Sequence, residues 1–493
     1  MKIKSVAINN FRSIQHATIE LHDYSIIVGE NNVGKSNIID AIRWFYGDLE
    51  LKIDDISYRL LDNYEPWIEI EYDMKPVEYM ALPKKYRIEK NKLRVRKEID
   101  FSNPEYQIDD RFTTRYRCPG VTKTDTDIKK FLGNIVYIPA TFDKKTLYKS
   151  AVDAVCLLMN KQIKQDVETS LSKLDKQIIE PQLETINQTL NKEIKWLGLQ
   201  SNFVLRPISF EELFKDRLIL HVIENDMTAN IDGLGTGMQR IIVSNVLKMC
   251  SESGSKETTI LLFEEPEANM HPDAIADFAY NLREFAKKDN QQVIATTHSG
   301  HLVSEDIMDT RGLIRVDKQN SLTSIHQNKM PVSELELAKN MVYFDRPRSD
   351  IFFAKKVVLV EGPTEYMLYN YLKRCGDLPH SLTQNVTLID TIGKWSMPYF
   401  QKILNNYNIR HSVLYDTDGD PNRADNIAVT SEFSELTDYS YGFPRDIETF
   451  CGIKKSGNPA INIINKFKDG TVSPEKRAEV VQIFKNLISQ KQQ

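Results

Sequence analysis

A short apolar run, Ser25–Val28, stops at Gly29, and from about Lys35 the chain takes up helical spacing with Ile38, Ile39, Ala41, Ile42 and Phe45. Between the two lies Gly29-Glu-Asn-Asn-Val-Gly34-Lys35-Ser36. A strand that turns through a glycine-framed loop directly into a helix belongs in a parallel α/β sheet, with the loop at the strand's carboxyl end. The pattern Gly-x4-Gly-Lys-Ser adds a chemical demand. The glycines let backbone N–H groups close around phosphates, Lys35 reaches the β- and γ-phosphates, and the Ser36 hydroxyl ligates Mg²⁺.

Three further segments fit the same chemistry. The run Thr259-Ile-Leu-Leu-Phe263 ends in Glu264-Glu265-Pro266-Glu267. A strand ending in two carboxylates can offer one to the metal (Glu264) and a second to orient or deprotonate water (Glu265); an acidic helix cap is the weaker alternative. The next apolar run, Gln292–Thr296, leads to His298-Ser299, where an imidazole can touch a γ-phosphate. Asp232-Gly-Leu-Gly235-Thr-Gly237-Met-Gln-Arg240 is a Gly-rich turn before an apolar helix. It reads either as a plain helix start or as a set of N–H groups meeting a γ-phosphate across an interface.

A second strand–helix series begins at Lys355: Val357–Val360, Thr364–Leu372, Thr387–Asp390, Met397–Leu404, Ser412–Tyr415. Its strands end at Glu361-Gly-Pro-Thr-Glu365 and at Asp416-Thr-Asp418-Gly-Asp420. Neighbouring strand ends of a parallel sheet converge, so Glu361, Asp416 and Asp418 are expected at one locus. Carboxylates gathered without a cation repel one another unless they bind metal, and oxygen-only ligands suit Mg²⁺ or Mn²⁺. Asp416–Asp420 alone would read equally well as a turn.

The 493 residues exceed one ordinary core, so two or three domains are expected. Two α/β series joined within Met341–Phe353 agree with that. Leu157–Leu197 differs: apolar residues from Ile163 to Leu197 recur every three to five positions, predicting a helical hairpin broken at Pro181. It is either a helix pair packed on its own domain or an arm packed on a second subunit. Five scattered cysteines without a Cys-x-x-Cys pair argue against a disulfide framework or structural zinc. No apolar run spans a bilayer and the start has no signal-peptide pattern, so a cytoplasmic protein is expected. The net charge of −5 gives no compositional sign of nucleic-acid binding.

Asn10-Phe11-Arg12-Ser13, the phosphate loop followed by Asn37, the Gly-rich segment, the Glu-Glu-Pro-Glu strand end and Thr-His-Ser together resemble the ABC ATPases of the RecF/SMC type. The pairing of Glu361 with Asp416-x-Asp418 resembles the Toprim domain. In this order the two are similar to the OLD (overcoming lysogenisation defect) family of nucleases, which includes Gabija-type and retron-associated members. The fold implied is α/β throughout. Residues 1–150 form the first part of the ATPase, 151–200 a helical insertion, 201–345 its second part, and 346–493 a Rossmann-like Toprim domain with a parallel sheet.

The resemblance implies ATP held by Gly29, Asn32, Gly34, Lys35, Ser36, Asn37, Glu264 and His298, with Gly235 and Gly237 closing on it from a second subunit of a homodimer or larger homo-oligomer. The signature lacks a Ser before its glycines and the first acid is Glu, which implies slow turnover. For the Toprim part it implies two divalent ions on Glu361, Glu365, Asp416, Asp418, Asp420 and Glu448 (from Pro444-Arg-Asp446-Ile-Glu448), with Lys476, or its rival Lys468, stabilising the transition state. Gly393-Lys394 fits the loop after the second Toprim strand. The implied activity is an ATP-regulated, metal-dependent DNA endonuclease of anti-phage defence, with a helicase or a reverse transcriptase as a possible partner. The alternative is an ATP-dependent sensor or scaffold that needs such a partner or is no nuclease.

Overall fold

The computed structural model describes residues 1–52, 55, 66–99, 107–108, 111–119, 126–140, 161–193, 221–224, 227–230, 235, 237–239, 241–242, 245, 259–303, 307–339, 342, 344–454 and 457–489. They form two compact units: Met1–Tyr137 with Ile260–Glu267 and Pro272–Gln493, and Ile138–Thr259 with Ala268–His271.

The phosphate loop follows the strand Tyr24–Val28, which sits inside a six-stranded sheet. The order is Leu322–Gln327, Leu313–Gln319, Tyr24–Val28, Gln291–Thr296, Thr259–Glu264, Asn134–Ile138. Tyr24–Val28 runs parallel to both neighbours. Gln291–Thr296 and Thr259–Glu264 are buried at every position, as expected of strands covered on both faces. The loop of the first strand, Glu264–Glu265 and His298 thereby reach the same sheet edge. Helix Lys35–Tyr46 packs its apolar stripe between this sheet and a second, antiparallel one.

That second sheet runs Ile14–Glu20, Lys2–Phe11, Trp67–Asp73, Lys92–Ile99, Thr114–Arg117. Its strands alternate: Ile8, Ile68, Ile70 and Val95 face the shared core. The outer face carries cross-strand ion pairs, Glu71 with Lys92 and Arg94, and Glu69 with Arg96.

The C-terminal series forms a four-stranded sheet in the order Val386–Asp390, Lys356–Val360, Arg410–Asp416, Thr437–Phe443, every pair parallel. Helices Pro363–Cys375, Pro459–Lys468 and Pro474–Ile488 close one core through Leu368, Leu372, Ile463, Phe484 and Leu487. This layer is tied to the ATPase sheet within the same unit. The Tyr407 hydroxyl donates to the carbonyls of Thr310 and Leu313, and Arg315 donates to the carbonyl of Tyr407.

The predicted hairpin is not formed. Lys161–Leu174 continues through a π-helical turn, Asp175–Ile179, into Glu180–Glu193 without reversing. Pro181 lies just beyond the wide turn. A π-turn moves the preceding carbonyls outward, which makes room for a ring that would clash with a regular helix and accommodates the missing N–H. The proline therefore widens the helix where a break was expected. The predicted ends of that segment, together with Asp232–Leu234, Arg240 and Met341, lie outside the described residues. Among the described residues no helix is long and apolar enough to cross a membrane.

Candidate functional site

The phosphate loop is shaped by contact with the hairpin Leu313–Gln327. Gly34 has φ 111°, and a Cβ there would lie 2.3 Å from Thr323 Oγ1; at Gly29 one would lie 2.2 Å from the Val316 carbonyl oxygen. Only glycine fits either place. Asn32 also takes a left-handed φ of 63°. The Lys35 ammonium is buried and donates to the carbonyls of Gly29 (3.0 Å) and Glu30 (2.7 Å). Burial lowers its pKa, opposed by the charges of Glu265, Glu267 and Glu30. Ser36 is exposed in the first helical turn.

Asn37 is already engaged. Its Nδ2 donates to Ser13 Oγ (2.7 Å) and its Oδ1 accepts from Arg12 (3.3 Å), while Arg12 also pairs with Asp40 (2.5 Å) and Asp55 (2.7 Å). Ser13 Oγ in turn lies 2.6 Å from Thr323 Oγ1. The Arg12-Ser13 segment thus braces the helix that follows the loop. That role places Asn37 in the scaffold of the nucleotide site.

Glu264 is buried and its Oε2 accepts the Tyr137 hydroxyl at 2.9 Å. Glu265 takes φ 43° and reaches within 3.5 Å of His298 Nε2. Glu267, which the sequence reading left without a role, accepts from the Thr297 hydroxyl (2.7 Å) and the His298 N–H (2.6 Å). It fixes the His298 backbone, and its charge also acts on Lys35. Burial, then the Lys35 charge, lowers the His298 pKa, which favours neutral imidazole. Its signal was the third acid of Glu-Glu-Pro-Glu; Tyr137, so far away in sequence, had none. Gly235 and Gly237 belong to the second unit. There a Cβ on Gly237 would lie 2.3 Å from the Asn269 carbonyl oxygen, so backbone passes backbone at that point.

The second locus lies at the carboxyl edge of the four-stranded sheet. Register pairs Val360 with Leu414, which sets Glu361 beside Asp416, and the Asp416 N–H donates to Glu361 Oε2 at 3.2 Å. Glu365, in the first turn of the next helix, is 4% exposed and accepts from the Gly362 N–H at 3.2 Å. Burial pushes it up to about 7, with Glu361 and Glu448 adding repulsion. Asp416 is pushed up to about 9 by burial, then by the charges of Glu365, Glu361, Glu448 and Asp446. Its Oδ1 is buried without a hydrogen-bond partner. Burial likewise raises Glu361. Glu448 is buried on the turn Ile447–Phe450, which Asp446 caps by accepting the Thr449 N–H at 2.7 Å.

The expectation of a cluster without a cation needs correcting. Lys394, 4% exposed, stands 2.7 Å from Asp418, 3.6 Å from Asp425 and 3.9 Å from Glu361. Arg423 also bonds Asp418 (3.0 Å) and Asp425 (2.9 Å). Asp418 is thus turned toward two cations, and Asp425 joins the site unforeseen. Asp420 is exposed and accepts the Asn422 N–H at 2.9 Å, as a turn residue does. Lys476 pairs with Glu479 at 2.7 Å and lies 4.3 Å from the Phe450 ring centre. Among the described residues Lys394 is the buried cation at the carboxylates, with the half-exposed Arg423 beside it.

Among the described residues no three His, Cys, Asp or Glu side chains already converge on one metal position. The donor chemistry nevertheless fits a hard divalent ion. Four carboxyls with raised or crowded charge and an orphaned Asp416 oxygen offer oxygen ligands only, and a dication would relieve both the repulsion and the missing partner.

An ATPase sheet with a phosphate loop, followed by a parallel sheet with an acidic edge, defines an ATPase–Toprim protein. Sequence comparison agrees: the AAA ATPase domain family matches residues 1–202 and 120–303, and the overcoming lysogenization defect protein-like Toprim domain matches 352–418. The chain belongs to the AAA ATPase domain family and carries a Toprim domain of the overcoming lysogenization defect type. It is 25% identical to the Old nuclease of Escherichia phage P2, over 85% of this chain and 77% of the relative. The OLD nuclease of Thermus scotoductus is 24% identical (84% and 82% covered), and the endonuclease GajA of Bacillus cereus 23% (85% and 75%). Among solved structures, the SMC head domain of Thermotoga maritima superposes with a TM-score of 0.37 at 17% identity, covering 67% of this chain and all of that one. ATPase and Toprim domains bring with them the use of ATP and of a divalent metal.

Proposed function

We propose that this chain is an endonuclease that hydrolyses DNA phosphodiesters at the edge of its C-terminal sheet and is regulated by ATP at its phosphate loop. The observation that carries the reading is the mutually repelling set of buried Glu365 and Glu448 with half-buried Glu361 and Asp416, one Asp416 oxygen being unpartnered. The relatives' names, nuclease and endonuclease, support it.

Glu361, Glu365, Asp416, Asp418 and Glu448, with Asp420 at the margin, would hold Mg²⁺ or Mn²⁺, two ions in this reading, which would supply an activated water and charge for the leaving oxygen. Burial and mutual repulsion raise Asp416 and Glu365, so the metal-free site favours protons that a dication would displace. Lys394 and Arg423, bonded to Asp418, present positive charge toward the scissile phosphate; Lys476 remains the outer candidate for that role. At the phosphate loop, Lys35 would exchange its carbonyl partners Gly29 and Glu30 for phosphate oxygens. Ser36 and Glu264 would hold the Mg²⁺ of ATP, Glu265 would orient water and His298 would meet the γ-phosphate.

The reading includes Gly235 and Gly237 closing on the nucleotide of a second copy, the helical insertion as a dimer arm, and the division 1–150, 151–200, 201–345 and 346–493. Action in the cytoplasm, in anti-phage defence and beside a helicase or reverse transcriptase belongs to the same reading.

The test is cleavage of supercoiled plasmid with Mg²⁺, Mn²⁺ or chelator, comparing wild type, Glu361→Gln and Lys35→Met with and without ATP. Metal-dependent cutting that Glu361→Gln abolishes is expected, with an ATP response lost in Lys35→Met. Cutting that survives in Glu361→Gln would remove the site from the mechanism.

A further inference from the structure

The loop between the second strand of the C-terminal sheet and its helix, Thr391-Ile392-Gly393-Lys394-Trp395-Ser396, faces two ways. Lys394 is buried against Asp418, Asp425 and Glu361. Two residues around it are not: Ile392 is 63% and Trp395 59% exposed. A tryptophan and an isoleucine on one loop, each more than half exposed, put an apolar patch in water at the rim of the carboxylate site.

The display is not looseness. The Gly393 N–H donates to the Glu361 carbonyl (2.8 Å) and the Thr391 N–H to the Val360 carbonyl (3.0 Å). The Thr391 hydroxyl donates to Val360 (3.0 Å) and the Ser396 hydroxyl to the Gly393 carbonyl (2.8 Å). Asp390 accepts the Ile392 N–H at 2.7 Å, holding this β-branched residue at φ 60°. A β-branched side chain in the left-handed region is strained, and such strain persists where the surroundings over-determine it, often at ligand clamps. The loop is thus bonded to the backbone of Glu361 itself.

The same edge carries cations. Arg423 is 46% exposed, and Arg445, whose carbonyl accepts the Asp418 N–H, is 72% exposed. An exposed aromatic face beside a carboxylate site with accessible guanidinium groups matches the chemistry of a strand whose phosphates meet the cations while a base is left to stack.

We propose that Trp395, with Ile392 beside it, is a substrate-binding wedge on which an unpaired DNA base stacks next to the phosphodiester to be cut. This rests on the nuclease reading above. The site then favours strands that are unpaired or easily opened, because a base within a duplex hides its face from the ring.

The experiment measures equilibrium binding of a single-stranded DNA oligonucleotide carrying 2-aminopurine, and of the matching duplex, in Ca²⁺ so that binding is read without cleavage. Full-length wild type, Trp395→Ala and Trp395→Phe are compared, with sedimentation of each. Because Trp395 is exposed, neither variant empties a core. Loss of one base–aromatic stack corresponds to about a 10-fold weaker single-strand affinity, and to no more than roughly 100-fold. The expected result is that loss in Trp395→Ala, affinity within about 3-fold of wild type in Trp395→Phe, and little change for the duplex.

Equal affinity of Trp395→Ala and wild type, or no single-strand binding by wild type, overturns the wedge. A change in sedimentation with DNA affinity intact also overturns it and makes the patch a contact between copies. Plasmid cutting by the same proteins in Mg²⁺ separates the two readings. Cutting abolished by Glu361→Gln with Trp395→Ala binding unchanged sinks the wedge and keeps the nuclease. The reverse pattern keeps the stacking site and removes the nuclease.

Discussion

Replacing Asp416 by Asn asks how much the acidic edge costs the protein when no metal is bound. Burial and three neighbouring glutamates push Asp416 from 3.8 up to about 9. A carboxyl whose pKa is raised on folding contributes fully to stability below its unfolded value, and that contribution is lost as pH rises toward the folded value. The window therefore runs from about pH 4 to about pH 9, at about 1.4 kcal/mol per pH unit. By pH 7 the loss reaches ~4 kcal/mol, and about half of that if Glu365, pushed up to about 7, shares the repulsion. An Asn keeps the shape, does not titrate, and its amide can donate to the glutamates. In chelator, Asp416→Asn should exceed wild type by about 2–4 kcal/mol at pH 7, more at pH 8.5 and less at pH 5.5. Urea denaturation at the three pH values measures it. Added Mn²⁺ should narrow the gap, because metal stabilises the wild type alone. A gain that does not change with pH, or a net loss, would refute the repulsion argument.

Gly34→Ala forces an L-residue to φ 111° with its Cβ 2.3 Å from Thr323 Oγ1. It should cost about 2–4 kcal/mol in thermal denaturation and abolish binding of a fluorescent ATP analogue. Lys97, buried between Trp44 and Tyr116 and donating to the Trp44 carbonyl, has its pKa lowered to about 7 by burial. The unfolded chain binds the extra proton between about pH 7 and 10, so wild-type stability should rise with pH there, by up to about 1.4 kcal/mol per unit, and Lys97→Met should flatten the rise in melts at pH 7, 8 and 9. Tyr137→Phe removes the hydroxyl that Glu264 accepts. Leaving that buried carboxylate short of a partner should cost about 1–3 kcal/mol by calorimetry, less when Mg-ATP is present.

Much of the architecture was legible because it is written in local pattern. Tyr24–Val28, Thr259–Glu264, Lys356–Val360 and Arg410–Asp416 are largely apolar runs ending at a glycine or at carboxylates, and each forms a largely buried strand with that glycine or carboxylate at its end. Strand ends of parallel sheets meet, so Glu361 could be paired with Asp416 across some fifty residues. Pro181 misled because the rule that proline interrupts a helix ignores the π-turn, which relieves the same clash. Lys476 was chosen from its place along the chain, which carries no information about where its ammonium points; in the structure it pairs with Glu479.

The sequence alone determined the class of chain: a phosphate loop between a strand and a helix, then a second sheet with acids at its strand ends, because backbone geometry and residue type act over a few neighbours. The tertiary structure alone decided which groups meet. It placed Lys394 and Arg423 on Asp418, Tyr137 on Glu264 and Glu267 on His298, and it turned Trp395 outward beside Glu361. Burial, charge and partner choice depend on elements that are distant along the chain and adjacent only once the sheets have formed. For that reason Asp416, pushed up to about 9, looks in the sequence like any other aspartate of a turn.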